Sequence, residues 1–71
     1  SIGEGCSLMP GAHVAGSVHL GHHVLVGSGA NILNSLHVGA NARIGAGAVV
    51  TRPVAAGATV VGVPARELHS K

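Results

Sequence analysis

Aliphatic residues return along this chain at every sixth position: Ile2, Leu8, Val14, Leu20, Val26, Ile32, Val38, Ile44 and Val50. Four residues after each stands a second small or aliphatic residue, in the series Cys6, Ala12, Val18, Val24, Ala30, Leu36, Ala42, Ala48, Val54 and Val60. No other phase is uniformly apolar. A period of six with two inward positions fits neither a helix of about 3.6 residues per turn nor a plain alternating hairpin sheet.

A longer period lies above this one. Gly3, Gly21, Gly39 and Gly57 stand 18 residues apart, as do Gly27 and Gly45, and Gly11, Gly29 and Gly47. Three sixes make one triangular coil, with a short strand on each side and a bend between sides. Glycine suits such bends because tight turns need φ values that other residues resist. Successive coils then pair as parallel strands roughly 4.8 Å apart. Residues one coil apart stack directly, and each coil buries its aliphatics against the next. The reading predicts an all-β triangular solenoid over residues 1–61, a little over three coils long, with Ile2, Leu8, Val14, Leu20, Val26, Ile32, Val38 and Ile44 all inside.

The pattern weakens after Val50, where Thr51-Arg52-Pro53 interrupts it and Ala55-Ala56-Gly57 reads as a loop. Thr59-Val60-Val61 reads as the last strand, and Pro64 redirects the chain into a tail over residues 62–71. Within that tail Ala65 to Leu68 suggests a turn of helix, and His69 to Lys71 a frayed end. Asn31, Asn34 and Asn41 are expected at bends, where asparagine tolerates left-handed conformations. Ser1-Ile2-Gly3 enters in mid-pattern without a polar cap, which suggests a piece of a longer protein or a chain stacked on a partner.

Composition agrees with a repeat rather than an ordinary small core. The 71 residues hold 12 glycines and no Phe, Tyr or Trp. One cysteine cannot form an intrachain disulfide, and no Cys/His zinc spacing is present. A net charge of +2 without aromatic stacking platforms argues against nucleic acid. No apolar run reaches the roughly 20 residues of a transmembrane helix, so no membrane partner is expected. The lone thiol suits a reducing compartment and points to the cytoplasm. A narrow prism has a high surface-to-volume ratio, so association between chains is expected.

Six histidines are many for this length. His13, His19 and His37 each precede an inward residue and should point outward, with His19 stacked on His37. Two imidazoles alone make a poor zinc site, so no metal is expected. His22 and His23 fall at a bend, and His69 lies in the tail. The only carboxylates, Glu4 and Glu67, adjoin none of the histidines in the way a base requires. Cys6 sits in an inward small-residue phase and reads as core filler.

The repeated phases resemble the hexapeptide-repeat acyltransferases. The stretch from Gly45 through Val50-Thr51-Arg52-Pro53 to Val61-Gly62-Val63-Pro64-Ala65-Arg66 is similar to their C-terminal signature. Pro10-Gly11-Ala12-His13-Val14-Ala15-Gly16-Ser17-Val18-His19-Leu20-Gly21 resembles the sialic acid O-acyltransferase (NeuD) family, which includes N-acetyltransferases of nucleotide-linked amino sugars. The resemblance implies a left-handed parallel β-helix, a homotrimer, and acetyl-CoA as acyl donor in a groove between neighbouring chains. It implies a nucleotide-linked or free amino sugar as acceptor. Carried over position by position, it implies cofactor contacts at Ser7, Gly16, Ser28 and Ala46. Ser7 stands where the family carries a histidine near the thioester; serine can hydrogen-bond there but cannot take a proton near neutral pH. Pro53 stands where Asp is common. Arg66, after the Pro64-Ala65 turn, could meet a CoA phosphate as a planar multi-donor cation. The family's general base lies upstream of the segment that matches Ser1, and no catalytic residue is assigned within the chain. The sequence alone is therefore expected to bind CoA weakly and to transfer little. Two other readings stand beside this one. One is a non-catalytic trimerising β-helix. The other is a carbonic-anhydrase-like metalloenzyme, which is disfavoured because its ligand pair is five residues apart, whereas the gaps here are six, three and four (His13 to His19, His19 to His22, His19 to His23).

Overall fold

The computed structural model describes residues 1–68, in which nine short strands wind into a triangular parallel prism and a tenth folds back antiparallel on its last coil. The strands are β1 (Ser7–Leu8), β2 (His13–Val14), β3 (His19–Leu20), β4 (Leu25–Val26), β5 (Asn31–Ile32), β6 (His37–Val38), β7 (Arg43–Ile44), β8 (Val49–Val50), β9 (Thr59–Val61) and β10 (Arg66–Glu67). The first face stacks β1-β4-β7-β9-β10, the second β2-β5-β8 and the third β3-β6. Ile2 and Val54 extend the third face at its two ends through isolated bridges to Leu20 and Val38. Ser7 pairs with Leu25 and Leu25 with Arg43, so the register is one residue triplet of sixes, as the repeat predicts. The prism measures 32 × 21 × 19 Å.

The core is built from the two inward phases. Val18, Leu20, Val24, Val26, Ala30, Ile32, Val38, Ala42, Ile44, Ala48 and Val50 are buried. Three expected interior residues depart from this. Ile2 and Leu8 are 55% and 45% exposed, and Val14 is half-buried. Their coil is covered on one side only, so the inward face of its side chains still meets water.

The last coil also departs from expectation. Three residues join Val50 to Val54, where five join Ile32 to Val38. The corner is cut, and the pairing offset falls from 18 to 16, as in Arg43 with Thr59 and Ile44 with Val60. Val54 therefore caps Val38 and Ala56 lies exposed, although the period places Ala56 inside. Gly57 stacks on the Ala40–Asn41 corner, donating to the Ala40 carbonyl at 2.9 Å, rather than on Gly39. It joins Gly5, His23 and Asn41 in one column of left-handed residues, with φ of 76°, 57°, 63° and 75° for Gly5, His23, Asn41 and Gly57. Leu36 has no successor above it and stays half-buried.

Two further expectations are corrected. Asn31 lies on β5 rather than at a bend, and the left-handed residue beside Asn34 is Ser35, at φ 63°. Ala65–Leu68 forms no helical turn. A turn over residues 62–65 leads into β10, which pairs antiparallel with β9, Arg66 opposite Val61. One helical turn leaves most of its own backbone groups unpaired, whereas the free edge of β9 offers partners at once. The expected fraying of His69–Lys71 lies outside the described residues.

Several glycines have a reason other than φ. Gly21 has no left-handed backbone, yet a Cβ there would lie 2.6 Å from the Ala40 nitrogen and 2.8 Å from its Cα. The next coil's backbone occupies the space a side chain would need. Gly16, by contrast, has open space around it and no positive φ. Gly21→Ala should therefore lower unfolding stability by about 1–3 kcal/mol. Gly16→Ala should leave it unchanged or raise it by up to about 1 kcal/mol, through the less flexible unfolded chain. Chemical denaturation of the two variants beside the parent checks both outcomes.

Candidate functional site

The residues singled out from the sequence fall on two edges of the prism. Ser28 and Ala46 lie one coil apart on the edge between the first and second faces, both exposed. Pro10 is their counterpart one coil below, and the corners are tied by Gly29 N–H to the Pro10 carbonyl at 3.2 Å and Gly47 N–H to the Ser28 carbonyl at 2.8 Å. Ser7 is on the first face in the lowest coil, three residues before Pro10. At the top of the same edge β9 ends in the turn over residues 62–65, and Arg66 follows. Gly16 is set apart, on the edge between the second and third faces. One chain thus aligns Ser7, Ser28, Ala46 and Arg66 along one edge and leaves Gly16 across the second face from it.

The corners on this edge share a turn type. Ala12, Ala30 and Ala48 N–H donate to the carbonyls of Met9, Gly27 and Gly45 at 3.0, 3.2 and 3.2 Å. The third residue of each turn is a left-handed glycine, with φ of 79°, 70° and 71° at Gly11, Gly29 and Gly47. An i to i+3 bond with positive φ at the third position is the type II pattern, which favours proline second. Pro10 holds that second position, and Ser28 and Ala46 hold it in the coils above. Proline has no N–H, so stacking needs no donor there. Among the described residues the Ser28 and Ala46 amides donate to no backbone carbonyl. The edge therefore carries two free donors, roughly 4.8 Å apart by strand spacing.

A depression of about 460 Å³ closes the top of the molecule, lined by Thr51, Arg52, Pro64, Ala65, Arg66 and Glu67. Its lining adds a second guanidinium, Arg52, and the Thr51 hydroxyl to Arg66. Two planar cations and one hydroxyl against a single carboxylate can hold a phosphate. The sequence reading missed Thr51 and Arg52 as site residues. Their signal was the interruption Thr51-Arg52-Pro53, which shortens the corner and sets it under the final turn.

The histidines pair with one another. His19 and His37 stack as expected, with ring centroids 4.9 Å apart and planes inclined by 23°. Ser1 Oγ lies 2.8 Å from His19 Nδ1. The His22 and His23 rings meet edge to face, Nδ1 to Nδ1 at 3.0 Å. Nearly parallel rings point their nitrogens side by side rather than at one shared centre. Among the described residues no group of three potential metal ligands comes together. No hydrogen bond joins a described histidine to a carboxylate. Cys6 packs half-buried against the core, its thiol donating to the Gly21 carbonyl at 3.1 Å, as filler.

A family profile described as bacterial transferase hexapeptide (six repeats) matches residues 1–34. No curated protein matches the chain. Among solved structures it resembles PerB from Caulobacter crescentus, in complex with CoA and GDP-perosamine, with a TM-score of 0.94 and 34% identity, covering 96% of this chain and 33% of PerB. The acetyltransferase domain of PglB from Neisseria gonorrhoeae FA1090, in complex with acetyl coenzyme A, gives a TM-score of 0.86 and 36% identity, covering 89% of this chain and 31% of that one. WeeI from Acinetobacter baumannii AYE gives 0.85 and 44% identity, covering 89% of this chain and 32% of WeeI. The chain thus spans about a third of the length of these relatives. The fold they share is the left-handed parallel β-helix.

The turn geometry makes a direct prediction. Ser28→Pro should fold with stability within about 1 kcal/mol of the parent, because the same turn already carries Pro10 and the lost N–H has no partner. Asn31→Pro should lower stability by about 3 kcal/mol or more, since the Asn31 N–H donates to Ala48 across the coils at 2.8 Å. Thermal melts of both variants check the contrast.

Proposed function

We propose that this chain, a left-handed parallel β-helix whose residues 1–34 match the bacterial transferase hexapeptide profile, is the cofactor-binding part of an acyl-CoA-dependent transferase acting on a sugar amine or hydroxyl. Acetyl-CoA is the donor in this reading, and a nucleotide-linked amino sugar is the acceptor. The ligands held by PerB and PglB support both assignments. The observation that carries the reading is the edge itself. Free amides at Ser28 and Ala46 lead upward to a depression that holds Arg52 and Arg66.

A pantetheine arm laid along this edge meets donors suited to its amide carbonyls, and its nucleotide end meets cations. Glycine and alanine at the corners let it approach the backbone closely. The Ser7 hydroxyl, at the foot of the edge, can hydrogen-bond near the thioester. Acyl transfer also needs a base for the acceptor proton and donors for the developing oxyanion. The described histidines lack an orienting carboxylate, so this reading takes the base from outside these residues. Gly16 contributes from a neighbouring copy in a homotrimer, where its edge faces the Ser28–Ala46 edge. This reading puts the activity in the cytoplasm, a compartment that a lone thiol suits. The absence of an oriented histidine among the described residues favours one rival, a β-helix that only assembles.

Three measurements test this. Calorimetry should show CoA binding, and Ser28→Pro, the variant expected above to keep the fold, should weaken it roughly two- to tenfold by removing one amide donor. Sedimentation should give a trimer. Thiol release from acetyl-CoA with nucleotide-linked amino sugars should be slow for residues 1–71 alone and faster when the base is restored. A lost general base typically costs about 10²–10⁴ in rate. A folded trimer that binds no CoA would leave the assembly reading standing instead.

A further inference from the structure

Arg43 stands on β7 in the first face, in a column that the strand register defines. Ser7 pairs with Leu25, Leu25 with Arg43, and Arg43 with Thr59. Each member precedes an inward-phase residue on its strand, so the four share the outward side of the face. Leu25 is 38% exposed and Arg43 is exposed. The hydrogen bonds among the described residues leave the Arg43 guanidinium without a partner. The chain's two carboxylates, Glu4 and Glu67, are both outside this column. From foot to top the column thus reads hydroxyl, apolar surface, cation, hydroxyl. It runs beside the edge that carries Ser28, Ala46 and Arg66.

We propose that Arg43 binds the diphosphate of the acyl donor, so that the first face reads a nucleotide-bearing thioester over a bare pantetheine one. The proposal rests on the acyl-CoA reading above. Length supports it. From Ser7 to Arg43 is two strand spacings, roughly 10 Å. An extended arginine reaches about 6 Å outward from the face, at roughly 1.2 Å per bond along an extended chain, which sets its guanidinium about 12 Å from the Ser7 backbone. The roughly thirteen bonds from the CoA sulfur to its first phosphorus span about 16 Å on the same scale. A thioester at Ser7 therefore sets the diphosphate within reach of Arg43, with the Thr59 hydroxyl beside it. The exposed Leu25 lies under the methylene and methyl groups in between. Arg52 and Arg66, farther up, are left for the remaining phosphate. An exposed strand arginine is most often only solvated. What sets this one apart is its position between Leu25 and Thr59, in a column without acidic residues that runs up toward the depression lined by Arg66.

The test compares binding of CoA, dephospho-CoA and pantetheine to the parent, Arg43→Gln, Arg43→Lys and Arg52→Gln, with thermal melts to confirm folding. Arg43→Gln should weaken CoA and dephospho-CoA by the same factor, about three- to tenfold, and leave pantetheine unchanged. Arg43→Lys should recover part of the loss. Arg52→Gln should weaken CoA more than dephospho-CoA. Added salt should narrow the gap between parent and Arg43→Gln. Unchanged CoA binding in Arg43→Gln, or an equal loss for pantetheine, would overturn the proposal while the acyl-CoA reading stands. A parent that binds none of the three would overturn both.

Discussion

The structure depends on how closely one coil's backbone approaches the next at the corners. Strand pairing sets the coil spacing along the flat faces, roughly 4.8 Å. The corners must keep that spacing without hydrogen-bonded strands to enforce it. At Gly3, Gly21 and Gly27 the backbone of the coil above already lies under 3 Å from where a Cβ would be. Any side chain there would wedge the corners apart and tilt every coil beyond. The same tightness explains the narrow interior. Ala30, Ala42 and Ala48 are fully buried among valines and isoleucines. Stability comes from repeated small contacts and from a ladder of backbone hydrogen bonds, most of them near 2.9 Å.

A stack of parallel coils leaves open edges, which invite another strand to pair. At the top of this prism each face is closed differently. Pro53 offers no donor beside His37, and the shortened corner pulls the chain inward at Val54. On the first face β10 folds back antiparallel over β9. On the second, Val49 exchanges hydrogen bonds with Gly62 and Ala65 at 3.0 and 2.8 Å. These closures are also what create the top depression. The cut corner brings Thr51 and Arg52 beneath the final turn, and β10 delivers Arg66 to the opposite wall. Ending the solenoid and building its cationic pocket are one structural event.

The edge that carries Ser28 and Ala46 follows from the same economy of backbone donors. A type II corner needs a left-handed third residue and leaves the second residue's amide unused. Pro10, in the lowest coil, lacks that amide, and Ser28 and Ala46 carry it in the coils above without a backbone partner. Charge is sparse, so each arginine stands against an almost neutral surface. A solenoid of this kind offers long, regular edges rather than a deep pocket, and a linear acyl donor with an anionic head suits that shape.

The period of six, the coil of 18 and the inward phases were legible in the sequence because each coil repeats the same local choice and stacks it on its neighbour. The stacking of His19 on His37 and the core role of Cys6 followed from phase alone. The positions Ser28 and Ala46 came from resemblance; that their amides lack a backbone partner depends on which coil lies above which. Three things only the tertiary structure decided. The cut corner at Thr51–Pro53 moved Val54, Ala56 and Gly57 out of their periodic places, since a break in a repeat does not say how many residues it removes. The end of the chain became a strand rather than a helical turn, because the unpaired edge of β9 offered hydrogen bonds that local propensity cannot anticipate. Exposure of Ile2 and Leu8 likewise depends on what stands above or below a coil. A periodic sequence specifies the layer; its ends and its cavities are set by the neighbours a layer has or lacks.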